Sequence, residues 1–156
     1  MGANTGKHAW WVTAVTLVEI ALAYLLLRSG GWFGLGVLAM ALLPFAAAWL
    51  AARDLKALIP DMVFGAIDSG LLVLAAAAGA LGFGVAGAIV GGVVGDALTD
   101  GIAGFFEGGI AEWLRARGIS ESRTALGSSL GKMGGCLLGS GTVLTIIQLC
   151  GFKFQM

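Results

Sequence analysis

Charged side chains are scarce in this chain. Asp, Glu, Lys and Arg make up 12% of its 156 residues, about half of the roughly 25% typical of soluble domains. Basic and acidic residues cancel to a net charge of zero, so no basic surplus indicates nucleic-acid binding. Apolar residues make up 58% of the chain, and the mean hydropathy is +0.95. We therefore predict an all-α integral membrane protein whose partner is the lipid bilayer.

Histidine and cysteine are too rare for most enzyme and soft-metal sites. The only histidine is His8, and the two cysteines, Cys136 and Cys150, lack the spacing of zinc ligands. The chain offers no nucleophile–base pair, and its glycine-rich runs lack the Lys-Ser/Thr ending of a phosphate-binding loop. We expect neither enzyme activity nor a bound cofactor.

Long apolar runs predict a bundle of five transmembrane helices. The run from 62 to 106 is too long for one crossing of a bilayer core about 30 Å thick, so we expect a break at the cluster Gly79, Gly82 and Gly84. The predicted spans are 9–27, 32–52, 62–80, 85–106 and 124–149.

Local signals refine this division. Pro44 is expected to kink the second span, and Pro60 to open the third helix near its first turn. The fourth span continues as an amphipathic extension over 107–117. Residues 1–56 would form two N-terminal transmembrane helices, and residues 57–156 a three-helix core.

Basic residues are distributed unequally between the two sides of this bundle. Arg28 and Lys153 lie on one side, and six basic residues lie on the other: Lys7, Arg53, Lys56, Arg115, Arg117 and Arg123. The positive-inside rule predicts a cytoplasmic N-terminus and an external C-terminus. Because we find no targeting presequence, we expect a prokaryotic cell membrane.

Glycine recurs at four-residue spacing in the last two spans. The chain has 27 glycines, and the two series are Gly87, Gly91, Gly95 and Gly127, Gly131, Gly135, Gly139. Small residues at this spacing let helix backbones approach closely in lipid. We predict glycine-zipper packing, either between spans four and five of one chain or between two protomers of a homodimer.

Acidic residues lie inside the predicted spans, where a central charge costs about 2.5–3.5 kcal/mol. Asp96, Asp100 and Glu107 fall within roughly 40° of one another around a helix. Asp68 lies at the same depth as Asp100, roughly 10–16 Å from the boundary. Carboxylates beside hydroxyls suit hard cations such as Ca²⁺, Na⁺ or Mg²⁺. The predicted metal site comprises Asp68, Asp96, Thr99, Asp100 and Glu107.

Two more ionisable residues share this depth. Lys132 is the only base within the predicted core, and we expect it to pair with Asp100 or to compete with the cation when the site is empty. Glu19 either joins the site, carries a proton, or points to solvent if span one is tilted. The Asp100–Lys132 pair could equally be a structural ion pair.

The chain resembles the transmembrane protein 65 family over about residues 59–142. The resemblance rests on several short segments in the same order and spacing: IPDMVFGAID at 59–68, GD at 95–96, TDG at 99–101, LGK at 130–132 and GCLLG at 135–139. Ser69 and Asp96 stand where the family pattern has Asn.

This resemblance implies a function. The family is associated with the mitochondrial inner membrane and sodium-dependent calcium efflux, so it implies a secondary cation transporter, a Na⁺/Ca²⁺ antiporter or close relative. It favours Asp68, Asp96, Thr99, Asp100 and Lys132 as site residues.

Two other functions stay open at this stage. A non-transporting membrane scaffold or regulator would use the acids and Lys132 as assembly contacts. A proton-coupled exporter of small cations would depend on Glu19, since span one is similar to the first helix of small multidrug transporters, which carries one Glu.

Overall fold

The computed structural model describes residues 2–51, 54–117 and 124–151, and the regular structure throughout them is helical. The elements are α1 (Gly2–Ser29), α2 (Phe33–Met40), α3 (Leu42–Leu50), a 3₁₀ turn (Leu55–Leu58), α4 (Ile59–Ala116) and α5 (Ala125–Leu149). Four helical stretches are long and apolar enough to cross a membrane: Ala9–Ser29, Phe33–Leu50, Leu55–Phe105 and Ala125–Leu149. The predicted all-helical fold is confirmed for these residues, and its apolar helices are compatible with a membrane protein.

Helix α4 contains a sharp reversal. Phe83 (φ −136°, ψ 15°) and Gly84 (φ 60°, ψ −142°) leave the helical region, at the glycine cluster where the sequence predicts a break. The positive φ of Gly84 is one that a residue with a Cβ rarely adopts. We name residues 59–82 the first arm and residues 85–116 the second arm. Predicted spans three and four therefore both lie within α4, and the apolar stretch Leu55–Phe105 contains both of them.

The two arms pack against each other in antiparallel order. Gly79 lies against Gly87, and Ala75 lies against Gly91 and Gly95, so close that a Cβ on any of these glycines would overlap the facing arm. As residue numbers fall along the first arm they rise along the second, as expected for a hairpin folded at Gly84. Because these glycines lack side chains, the backbones can approach closely.

Helix α5 packs on a different face of the first arm. A Cβ on Gly135 or Gly139 would overlap the carbonyl oxygens of Met62 and Ala66, respectively. Both residue numbers rise together, so α5 runs parallel to the first arm. The glycines of spans four and five thus both contact the first arm, whereas the sequence suggested contact between spans four and five or between protomers.

Helices α2 and α3 together occupy predicted span two. The chain breaks at Ala41, three residues before Pro44. The reason is that Pro44 lacks the N–H that would bond to the carbonyl of Met40. The pair runs antiparallel to α5, with Gly34 against Thr145 and Phe45 against Gly134.

A small apolar core joins the ends of several elements. It comprises Val15 of α1, Ala47 and Ala48 of α3, Leu58, and Leu126 and Leu130 of α5. Thr124 caps α5 by accepting a hydrogen bond from the N–H of Gly127 at 3.1 Å. At the opposite end, the N–H of Gly34 donates to Gln148 Oε1 at 2.8 Å. The two ends of α5 are thereby fixed against the N-terminal helices.

Candidate cation-binding site

A buried carboxylate and a buried hydroxyl meet between the two arms. Asp68 of the first arm and Thr99 of the second are each only 9% exposed. The Thr99 hydroxyl donates a hydrogen bond to Asp68 Oδ1 with an oxygen–oxygen distance of 2.5 Å. The structure therefore brings together two of the five predicted metal-site residues.

Thr99 is placed by the same small-residue spacing that joins the arms. Gly87, Gly91 and Gly95 contact the first arm, and Thr99 is the next residue in this four-residue series. Four residues are slightly more than one helical turn, so Thr99 lies on the contact face. Asp68 occupies the matching level of the first arm because the two arms are antiparallel.

Several oxygen atoms surround the Thr99 hydroxyl. Besides Asp68 Oδ1, the carbonyl oxygens of Gly95 and Asp96 lie 3.1 Å and 3.0 Å from Thr99 Oγ1. A hydroxyl has one hydrogen, so it donates to only one of these acceptors at a time. The nearest acceptor is the carboxylate. Oxygen donors of this kind, carboxylate, hydroxyl and carbonyl, are those that hard cations prefer.

The charge of Asp68 has no cationic partner in the described part of the chain. Thr99 is the residue that donates to its carboxylate, and a neutral hydroxyl cannot neutralise it. A buried carboxylate without a counter-charge is costly, and the cost is offset when a proton or a cation binds. This local chemistry makes Asp68 the strongest candidate ligand.

A groove of about 390 Å³ opens beside this pair. Asp68 and Thr99 are among its lining residues, but its exposed surface is almost wholly apolar, and the remaining lining residues are all apolar. These are Val63, Phe64, Ile67 and Leu71 from the first arm, and Ile102 and Ala103 from the second. Sequence reasoning missed this groove, although Val63, Ile67 and Leu71 form a four-residue apolar series beside Asp68.

The other predicted acids do not join Asp68 in the described structure. Asp96 is half-buried and Asp100 is exposed. The described residues contain no group of three or more Asp, Glu, His or Cys side chains placed to hold a metal ion. Glu107 lies on the second arm within α4, and its side chain is outside the described part.

Lys132 lies at about the same height along the helices as Asp68, but it is not paired with Asp100. A Cβ on Gly65 would lie 2.5 Å from the Lys132 carbonyl oxygen, and Gly65 is one helical turn from Asp68. The side chains of Asp100 and Lys132 are both exposed, and neither has an ion-pair partner among the described residues. The expected intramolecular ion pair is therefore absent from this part of the structure.

Glu19 lies on α1, which does not contact the two arms that carry Asp68 and Thr99. Its side chain is half-buried, and Oε1 is buried without a hydrogen-bond partner in the described structure. Asp61 on the first arm is also buried, at 8% exposure. Gly131 of α5 packs against its Cβ, which accounts for the burial.

Comparison with known proteins yields no relative: no protein-family model, curated protein or solved structure matches the chain.

Proposed function

We propose that this protein is a secondary cation transporter in which Asp68 is the central ion-binding carboxylate. The observation that carries the proposal is the position of Asp68. It is buried between two apolar arms, and it is held by the neutral hydroxyl of Thr99. An intramembrane carboxylate in such a place is expensive and is most often functional.

The chemistry around Asp68 favours a hard cation. One carboxylate, one hydroxyl and two main-chain carbonyls lie within one small region. Na⁺ and Ca²⁺ would compete for these oxygens, and such competition is the basis of exchange. The resemblance to the transmembrane protein 65 family favours the same pair of ions. A proton would be the simplest alternative coupling ion.

A Ca²⁺ site needs more ligands than this region supplies. Ca²⁺ takes about six to eight oxygen ligands. Asp96 and Asp100 are the nearest further carboxylates in sequence to Thr99. We propose that a homodimer, or a rearrangement of the second arm on the first, brings one of them to the ion.

Two exposed charges support the proposal that the protein forms a homodimer. Asp100 and Lys132 lie on apolar helices with exposed side chains and no ion-pair partner in the described residues. A charge facing lipid costs about 2.5–3.5 kcal/mol near the bilayer centre. Contact between opposite charges of two copies would offset that cost for both residues.

We propose five membrane crossings, with each arm of α4 counted as one. A helix of 58 residues would be about 87 Å long if straight, nearly three times the roughly 30 Å core. Folding at Gly84 gives two antiparallel arms, each long enough to cross that core. The N-terminus would be cytoplasmic and the C-terminus external in a prokaryotic cell membrane.

Flux through proteoliposomes tests this function. We expect ⁴⁵Ca²⁺ uptake into Na⁺-loaded vesicles containing the wild-type protein, and loss of that uptake in Asp68→Asn. Asp54→Asn is the matched control. Asp54 is exposed and caps the 3₁₀ turn by accepting from the N–H of Lys56 at 3.0 Å, a role that Asn can also fill. Equal uptake in Asp68→Asn and wild type would exclude Asp68 as the ion ligand.

Two other functions make different predictions in the same assay. A scaffold, which the unpaired charges of Asp100 and Lys132 also fit, would give a folded protein with no flux of any cation. A proton-coupled exporter, which the unpartnered Glu19 oxygen favours, would lose transport in Glu19→Gln but keep it in Asp96→Asn. Our proposal expects Glu19→Gln to retain Na⁺-driven Ca²⁺ uptake.

A further inference from the structure

Glu19 lies at the middle of the apolar stretch of α1. That stretch is Ala9–Ser29, so Glu19 is ten residues from either end. At about 1.5 Å per residue, this distance is about half of a bilayer core roughly 30 Å thick. An ionised side chain at the bilayer centre is costly and almost always has a partner. Glu19 Oε1 is buried and has no hydrogen-bond partner in the described structure.

The side chain of Glu19 belongs to the inner face of α1. Less exposed residues recur along this helix every three or four positions, at Val12, Val15, Glu19, Ala23 and Leu26. This spacing marks one face of a helix. Helix α1 packs against α2, α3 and α5, so the carboxyl group lies on the side of α1 that meets these helices.

Two contacts establish how α1 runs past α2 and α3. A Cβ on Gly36 of α2 would overlap the side chain of Leu26. Nearer the start of α1, Val15 shares the apolar core with Ala47 of α3. Residue numbers on α1 therefore fall as those on α2 and α3 rise, and the helices are antiparallel.

The break between α2 and α3 lies close to Glu19. Glu19 is four residues beyond Val15, which places it at about the height of Leu43 on the antiparallel partner. The adjacent Pro44 has no N–H to donate to the carbonyl of Met40. Carbonyls freed by proline within a membrane must find other donors. A protonated carboxyl can donate a hydrogen bond, whereas a carboxylate can only accept.

The helices packed against α1 supply no cation to neutralise Glu19. Helices α2 and α3 have no ionisable side chain. The ionisable residues of α5 are Lys132 and Cys136. Lys132 is exposed, and Cys136 Sγ would lie 3.1 Å from a Cβ on Gly65 of the first arm. Within α1, Arg28 is nine residues away.

We propose that Glu19 is a proton-binding site that holds α1 against the break between α2 and α3. With its proton, the side chain is neutral and donates to a main-chain carbonyl freed by Pro44. Without the proton, the carboxylate has no partner, and the packing of α1 on α2 and α3 weakens. The proposal rests on the membrane crossing of α1, and it does not depend on cation exchange at Asp68.

Infrared absorption of the protein in lipid detects the bound proton. At neutral pH we expect a protonated-carboxyl band that shifts when the wild-type protein is labelled with ¹³C-glutamate. The band should disappear in Glu19→Gln and persist in Glu112→Gln, the matched control with an exposed side chain. A wild-type spectrum without a protonated glutamate band would overturn the proposal without any variant. A glutamate band that persists in Glu19→Gln would also overturn it.

A pH series tests the effect of the proton on helix packing. As pH rises and the Glu19 band disappears, the SDS midpoint of wild-type unfolding should fall, because the packed form needs the proton. Gln is neutral and similar in shape, so the midpoint of Glu19→Gln should fall less, and Glu112→Gln should follow wild type. The same fall in wild type and Glu19→Gln would contradict the packing role. Neither measurement uses ion flux, so failure of this proposal is distinguishable from failure of the proposed transport.

Discussion

The Thr99 hydroxyl donates to the Asp68 carboxylate across the hairpin, over 2.5 Å and between residues 31 positions apart in the chain. Among the described residues, this bond is the polar contact that joins side chains of the two arms. The buried carboxylate belongs to the first arm and its hydrogen-bond donor to the second. A shift of the second arm along the first would change how the carboxylate is satisfied.

Removing the hydroxyl should therefore destabilise the hairpin. Thr99→Val keeps the side-chain shape but leaves the buried carboxylate without its donor. Hydrogen bonds to charged groups contribute about 1.5–3 kcal/mol, and we expect a loss of that size in the free energy of unfolding. Titration with SDS, followed by circular dichroism, measures it. Thr99→Ser keeps the donor and should unfold near the wild-type midpoint; equal loss in both variants would show that the methyl group, not the bond, matters.

Close packing of α5 on the first arm gives a second prediction. A Cβ on Gly139 would overlap the carbonyl oxygen of Ala66, and a backbone atom cannot rotate away. We expect Gly139→Ala to cost about 1–3 kcal/mol, the usual range for overpacking. Gly101→Ala is the control, since nothing lies within 4 Å of its added Cβ. The packing assignment fails if the two variants unfold at the same SDS concentration.

The reversal of α4 depends on one backbone conformation. Gly84 has φ of 60°, in the left-handed region that costs other residues roughly 1–2 kcal/mol. Gly84→Ala should lower the free energy of unfolding by about that amount, and Gly84→Asn by less. Gly82→Ala serves as the control because its Cβ would meet open space. A larger effect at Gly82 than at Gly84 would place the reversal elsewhere.

The proposed five crossings place the tip of the hairpin opposite the 3₁₀ turn. Phe83 is 82% exposed at that tip. In a background with Cys136 and Cys150 changed to Ser, Phe83→Cys should react with a membrane-impermeant thiol reagent added outside intact cells. Asp54→Cys should react only after the membrane is opened. Reaction of both cysteines from the same side would contradict the antiparallel crossing of the two arms.

Much of the helical architecture could be predicted from hydropathy and from Gly and Pro. The reversal lies at the predicted glycine cluster, Pro60 lies in the first turn of α4, and α5 begins one residue after Thr124. These features follow from local chemistry: chain reversal needs a positive φ, proline lacks an N–H, and a Thr side chain caps a helix. The break near Pro44 moved to Ala41 because the missing hydrogen bond falls on the preceding turn.

The arrangement of the acids could not be predicted in the same way. Asp68 and Thr99 were both singled out, but their direct contact depends on the register between the arms, which one sequence does not specify. Depth along the helices placed Asp100 with Lys132, yet depth gives no information on which way a side chain points. The groove was missed because apolar residues beside Asp68 look the same whether they face lipid or a cavity.

Infrared difference spectroscopy tests the central claim, that cations bind at Asp68, most directly. The reconstituted protein would be exchanged between choline, Na⁺ and Ca²⁺ buffers, and the carboxylate stretching region recorded. We predict ion-dependent carboxylate bands in the wild-type protein that persist in Asp54→Asn and disappear in Asp68→Asn. Ion-dependent bands identical in wild type and in a folded Asp68→Asn protein, or no ion-dependent bands at all, would contradict the account.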